Sequence, residues 1–90
     1  MKLRLLLVFS LILMIALPVM AMKVIMVTDV GGLGDKSFND GTWEGIVKAS
    51  DFLGLEREVV QSKEQADYIP NLSNAAKEAD IIFGVGFMMA

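Results

Sequence analysis

The feature that most constrains this chain is a short apolar run, "KVIMVTD" from Lys23 to Asp29, which stops at an aspartate and opens into a glycine-rich loop. A run rich in β-branched residues, with no polar alternation, describes a strand buried on both faces, as in a parallel sheet. Parallel strands are joined by a crossover, most often a helix. The next residues meet that requirement. Ser37 with Asp40 three residues on has the form of a capping box, so a helix should start there. Trp43, Ile46, Val47 and Leu53 recur on a helical stripe, and Gly54 stands where a C-terminal stop is expected. Gly41 and Gly45 weaken this helix by about 1 kcal/mol each relative to Ala. Their presence suggests close approach of helix to sheet, or of backbone to a ligand.

The same alternation continues. "LEREVVQ" (Leu55 to Gln61) reads as a second strand, and Pro70 suits the first residue of a second helix. Ile69, Leu72, Ala76 and Ala79 recur at three- and four-residue steps and predict its apolar face. "DIIFGVGF" (Asp80 to Phe87) is a third strand running into glycines. The order β-α-β-α-β defines an α/β fold, a parallel sheet with flanking helices and right-handed crossovers. Three strands are half of a doubly wound sheet and leave an apolar edge unpaired, so a fragment of a longer protein or a truncated reading frame is expected.

Ahead of the first strand, Lys2 and Arg4 precede an apolar run from Leu5 to Leu17, then Pro18 and Val19-Met20-Ala21. That order predicts a secretory signal peptide over residues 1–21, cleaved after Ala21. Left uncleaved, the 17 uncharged residues from Leu5 to Ala21 would associate the chain with the membrane, although about 20 are needed to span it comfortably. Export follows in both cases, to the periplasm or the cell surface. Residues 22–90 are then the folded remainder, an incomplete α/β sheet. Lys2 and Arg4 are the only charges before Met22, so the remaining 69 residues carry six Lys/Arg against eleven Asp/Glu, a formal −5. An acidic piece argues against nucleic acid as a partner. The sequence has no cysteine, hence no disulfide and no cysteine-linked lipid.

In open parallel sheets ligands bind outside the carboxyl ends of the strands. Residues 29–38 and 84–90 occupy that position. Neither phosphate motif fits: a P-loop needs glycine before Lys36-Ser37, where Asp35 stands, and a dinucleotide loop needs glycine at Ser37. The helix N-terminus could take an anion with help from Lys36, but Asp29, Asp35 and Asp40 oppose it. A neutral polyhydroxyl ligand suits the loop better. Asp29 can accept hydrogen bonds from two hydroxyls; Phe38 offers a flat stacking face; Asn39 pairs a donor with an acceptor, as needed to read a purine edge. Each also has a plainer role: Asp29 in capping the loop amides, Phe38 in the core, Asn39 as a solvated polar residue. Trp43 belongs to the core and Ser37 to the helix cap. The chain has no histidine, which leaves Ser37 without an activating base and removes most metal sites. No catalytic residue, metal site or cofactor is assigned.

The stretches "VTDVGGLGDKSFNDGTWEG", "DYIPNL" and "ADIIFGVGF" resemble the N-terminal part of the basic membrane protein family, the PnrA-like substrate-binding proteins of ABC importers. The resemblance covers residues 23–90. It implies the first part of a type I periplasmic-binding-protein lobe, a purine nucleoside or similar small polar ligand, and an ABC transporter permease as partner. It also implies that Asp29, Phe38 and Asn39 contact the ligand, and, less directly, that Gly84, Gly86 and Phe87 lie near the cleft. Many members are lipoproteins anchored through a cysteine after the signal; Met22 stands there in this sequence. A second lobe and its ligand contacts do not follow within these residues. An exported ligand-sensing module on the same fold is the alternative, and a nucleoside-processing enzyme a more distant one.

Overall fold

A computed structural model of the chain describes residues 2–7 and 22–89. Apart from residues 2–7, the expected signal segment lies outside the described residues. Three parallel strands, β1 (Lys23–Thr28), β2 (Glu56–Gln61) and β3 (Ile81–Gly84), form one sheet in the order β2-β1-β3. Helix α1 (Phe38–Leu53) joins β1 to β2, and helix α2 (Tyr68–Glu78) joins β2 to β3. The α/β, all-parallel expectation from the sequence is the observed architecture.

The central strand explains why its residues had to be apolar throughout. Its side chains alternate between two helices rather than between core and water. Val24 and Met26 pack with Ile46 and Val85 on the α1 side, joined by the partly buried Leu33, Trp43, Leu55 and Val59. Ile25 and Val27 pack with Ala75 on the α2 side, joined by Val60, Leu72, Ala79 and Ile82. Crossovers of one hand, running first to one side of β1 and then back over it to the other, place the helices on opposite faces. The chain reverses direction between β1 and β3, where open α/β sheets form a ligand crevice. The register pairs Val27 with Val60 on one side and with Gly84 on the other, so the loops after β1 and β3 emerge side by side. Val85 extends this pairing by donating its N–H to Val27 O at 3.0 Å.

Several local expectations are corrected. Strand β2 starts at Glu56 and β3 stops at Gly84, where Val85 and Gly86 lead into a short turn of helix over Phe87–Met89. The capping box expected at Ser37 does not form, since the Ser37 side chain makes no cap hydrogen bond. A capping box forms instead between Glu64 and Asp67 and starts a helical turn that runs into α2. Pro70 is therefore the third helical residue, not the first. It is tolerated because the first-turn N–H groups lack intrahelical acceptors in any case. Gly54 does stop α1 in a left-handed conformation (φ 70°), and Leu55 N–H closes onto Ser50 O at 3.0 Å.

The buried face of α2 is Tyr68, Leu72, Ala75 and Ala79; Ile69 and Ala76 are exposed. Leu72 and Ala79 belong to both sets, and contact with Ile25 and Val27 decides between the neighbouring rows. Leu53 is also exposed, so the α1 stripe effectively ends at Ser50. Gly41 and Gly45 are not close-approach glycines, because a Cβ at either would meet nothing within 4 Å. They line an open apolar cavity of about 450 Å³ with Ala49, Leu53, Ile81 and Phe83.

Candidate functional site

The loop from Asp29 to Ser37 leaves the carboxyl end of β1, and its backbone N–H groups are almost all committed. Val30 donates to the Tyr68 hydroxyl, Gly31 to Asp29 Oδ1, and Leu33 to Gln61 Oε1, each at 3.0 Å. Gly32 closes a turn onto Asp29 O at 3.1 Å. Gly34 and Lys36 donate to the two oxygens of Asp40 at 2.7 and 2.9 Å. The amides that would cradle a phosphate are thus already paired with side-chain oxygens of the chain itself.

The start of α1 follows the same logic. Asp35 accepts the N–H groups of Ser37, Asn39 and Asp40, each at 3.0 Å, and the Asn39 side-chain amide at 3.1 Å. A carboxylate held by the chain fills the positive end of the helix. Partial burial acts to raise the Asp35 pKa, but donation from Ser37, Asp40 and Asn39 outweighs it and holds the group below 3.8. The three aspartates that argued against phosphate are largely the internal anions that satisfy the loop. Lys36 contributes its backbone N–H and a left-handed conformation (φ 52°).

Asp29 caps the loop through one of its two carboxylate oxygens. Oδ1 accepts from Gly31 N–H and, at 2.7 Å, from Asn39 Nδ2. Oδ2 accepts no hydrogen bond from the described residues. It lies against Gly86, where an added Cβ would come within 2.6 Å of it. Asn39 is not a solvated residue: it is buried to 1 % exposure, and Nδ2 bridges Asp29 and Asp35. Two carboxylates fix the amide orientation, because only the nitrogen can donate to them. Its buried Oδ1 has no partner among the described residues. An unpaired buried acceptor costs about 1–3 kcal/mol until a donor reaches it.

Phe38 does not join the core. It is 70 % exposed and lies at one cavity with Thr42, Phe83, Gly84, Val85, Gly86 and Phe87. That cavity measures about 440 Å³, within the roughly 300–1,000 Å³ of small-molecule sites. Four of the six candidate residues, Phe38, Gly84, Gly86 and Phe87, therefore share one cavity. Asp29 borders it across Gly86, and Asn39 stands behind Asp29. Trp43 packs into the core on the α1 side, as the sequence indicated. Sequence reasoning missed Gln61 and Tyr68 as partners of the loop, since neither adjoins it in the chain. Asp35 was legible as a cap only in hindsight, from its position two residues before Ser37.

Among the described residues no three His, Cys, Asp or Glu side chains are placed to hold a metal ion. The candidate pocket, between the start of α1 and the end of β3 with Asp29 at its edge, lies where open α/β sheets bind ligands. A family model described as "ABC transporter substrate-binding protein PnrA-like" matches residues 22–90, and the chain belongs to that family. It is 39% identical over 72 residues to a CD4+ T-cell-stimulating antigen of Listeria monocytogenes, covering 73% of this chain and 20% of that one. It is 32% identical over 73 residues to the ABC transporter nucleoside-binding protein BmpA of Lactococcus lactis, covering 76% and 21%. It is 41% identical over 68 residues to an uncharacterized lipoprotein of Pyrococcus furiosus, covering 73% and 17%. A crystal structure of ABC transporter system solute-binding proteins from Aeropyrum pernix superposes with a TM-score of 0.64 at 32% identity, covering 74% of this chain and 19% of that chain. The chain thus spans about a fifth of the length of these relatives.

Proposed function

We propose that residues 22–90 form the first part of the N-terminal lobe of an extracytoplasmic ABC-importer receptor, and that this part contributes one wall of a purine nucleoside site. The observation that carries the reading is the joint placement of the candidate residues. An aromatic ring, Phe38, borders a cavity of nucleoside scale, and a half-buried carboxylate with one unoccupied oxygen, Asp29, stands at its edge. A ribose needs acceptors for its hydroxyls, and a base needs a flat apolar face. Asn39 orients the carboxylate, and its buried Oδ1 leaves one acceptor for a donor from ligand or water. A nucleoside carries no phosphate, which agrees with amides already paired to aspartates.

On this reading the segment over residues 1–21 exports the chain and is removed after Ala21, the ligand passes to a membrane permease, and no bond is made or broken. Mass spectrometry of the secreted chain should find Met22 at its N-terminus. Because the pocket is open on one side, the decisive test supplies the rest of a receptor. Residues 22–90 replace the matching segment of the Lactococcus nucleoside-binding relative, and inosine is titrated by calorimetry. Saturable binding by the folded chimaera is expected. A folded chimaera that binds no nucleoside, or whose crystal places inosine away from residues 29, 38 and 39, refutes the proposal.

A further inference from the structure

We propose that Tyr68 and Gln61 are positioning residues, which clamp the Val30–Leu33 backbone and thereby hold the Asp29 carboxylate against Gly86. The inference rests on the reading of Asp29 as the ligand acceptor.

The four N–H groups from Val30 to Leu33 form an ordered set. The inner two, Gly31 and Gly32, turn back onto Asp29 itself, through Oδ1 and the carbonyl oxygen. The outer two have no acceptor within the loop, and each is met by one side chain from far along the sequence. Val30 reaches the Tyr68 hydroxyl, 38 residues away, and Leu33 reaches Gln61 Oε1, 28 residues away. The turn that aims Asp29 is therefore bracketed by two external acceptors. Tyr68 reaches the loop from the first residue of α2, and Gln61 from the last residue of β2, whose side chain follows Val59 onto the α1 side.

Gly32 shows how closely the bracket fits. Its φ is +63°, and a Cβ there would stand 2.9 Å from Gln61 Oε1. Glycine both permits the backbone conformation and admits the acceptor. Gln61 is exposed, so burial of its side chain does not account for the contact. Tyr68 is buried, at 5 % exposure, but its ring and hydroxyl are separable. Phenylalanine would fill the same space and leave Val30 N–H without its acceptor. Neither side chain lines the cavity, so each acts on the ligand only through Asp29.

Amide hydrogen exchange by NMR on the full chain tests the clamp without a ligand. Tyr68→Phe should speed exchange at Val30 and, through loss of the turn, at Gly31, by about two- to tenfold. Gln61→Met should do the same at Leu33 and Gly31, and Gln61→Glu, which keeps an acceptor oxygen, should restore protection. The β1 amides of Ile25 and Val27 should not change. Faster exchange at Val30 with Gly31 unaffected would overturn the proposal, as would acceleration spread equally into β1, which marks a purely structural role. In the chimaera, Tyr68→Phe should weaken inosine binding by about two- to tenfold at unchanged Tm. Absence of inosine binding by the unsubstituted chimaera would remove the ligand reading, while the exchange pattern still decides the clamp.

Discussion

Gly86→Ala is the substitution that most directly tests how the loop after β3 supports Asp29. Two costs combine. Gly86 has a φ of +125°, and an added Cβ would meet Asp29 Oδ2 at 2.6 Å, Cβ at 2.8 Å and Cγ at 3.0 Å. A side chain forced to positive φ costs about 1–2 kcal/mol. Relief requires the carboxylate to swing away, which breaks its hydrogen bonds from Asn39 Nδ2 and Gly31 N–H, and also a backbone shift, because Asp29 Cβ does not move with χ1. Hydrogen bonds to a charged group contribute about 1.5–3 kcal/mol, and water recovers part because Asp29 is half-buried. The total is about 2.5–5 kcal/mol. Gly34→Ala is the control: its φ is +94°, and an added Cβ would meet nothing within 4 Å. It should cost only the backbone part, so the difference between the variants, about 1.5–3 kcal/mol, isolates the Asp29 contact. At roughly 0.05–0.15 kcal/mol per residue, 69 residues fold with about 3–10 kcal/mol. Gly86→Ala should therefore remove much of the stability. Urea unfolding followed by fluorescence of Trp43, the single tryptophan, measures both variants. Equal destabilisation by the two would refute the argument that Asp29 is braced against Gly86.

Three further outcomes are expected. Asp29→Ala in the chimaera should weaken inosine binding by about 1.5–3 kcal/mol; an unchanged Kd by calorimetry would leave Asp29 with its loop-capping role alone. The folded-state pKa of Asp35 lies below its ordinary 3.8, so its contribution to stability is complete above about pH 4 and is lost as pH falls through the depressed value. Asp35→Ala should accordingly lower stability near neutrality and flatten the acid limb of an unfolding profile below pH 4; an acid limb parallel to that of the unsubstituted chain would contradict this. Gly45→Ala should stabilise the chain by about 0.5–1 kcal/mol in the same urea assay, since an added Cβ meets nothing and the helix gains propensity. Destabilisation would contradict the open space at Gly45.

The sheet was legible because its signal is local. Lys23–Asp29 could bury two faces only between two helices, and the intervening segments carried helical periodicity and a glycine stop. Errors arose where neighbouring rows of a helix satisfy the same pattern. Ile69 and Ala76 fit three- and four-residue steps as well as Tyr68 and Ala75 do, and the facing strand chose between them. The helix cap failed for a related reason. Ser37 and Asp40 have capping-box spacing, but Asp35 reaches the same N–H groups and outcompetes a hydroxyl as acceptor because it is charged. Of the two readings of Asn39, ligand contact and solvated polar residue, burial between two carboxylates removes the second.

By itself, the sequence determined the class of the fold, the position of the candidate loop at the carboxyl end of the first strand, and the mismatch of that loop with both phosphate motifs. Those conclusions depend on hydrophobic period, motif spacing and net charge, all properties of neighbouring residues. Tertiary structure alone decided which acceptor holds which loop amide, which Asp29 oxygen has no partner among the described residues, and at which glycine a side chain would crowd Asp29. Val30 meets Tyr68, Leu33 meets Gln61 and Asp29 meets Gly86 only because parallel pairing sets β2 and β3 on either side of β1 in one register. Hydrogen bonds and van der Waals contacts act over a few ångströms, and only the packed sheet brings residues so far apart in the chain within that range.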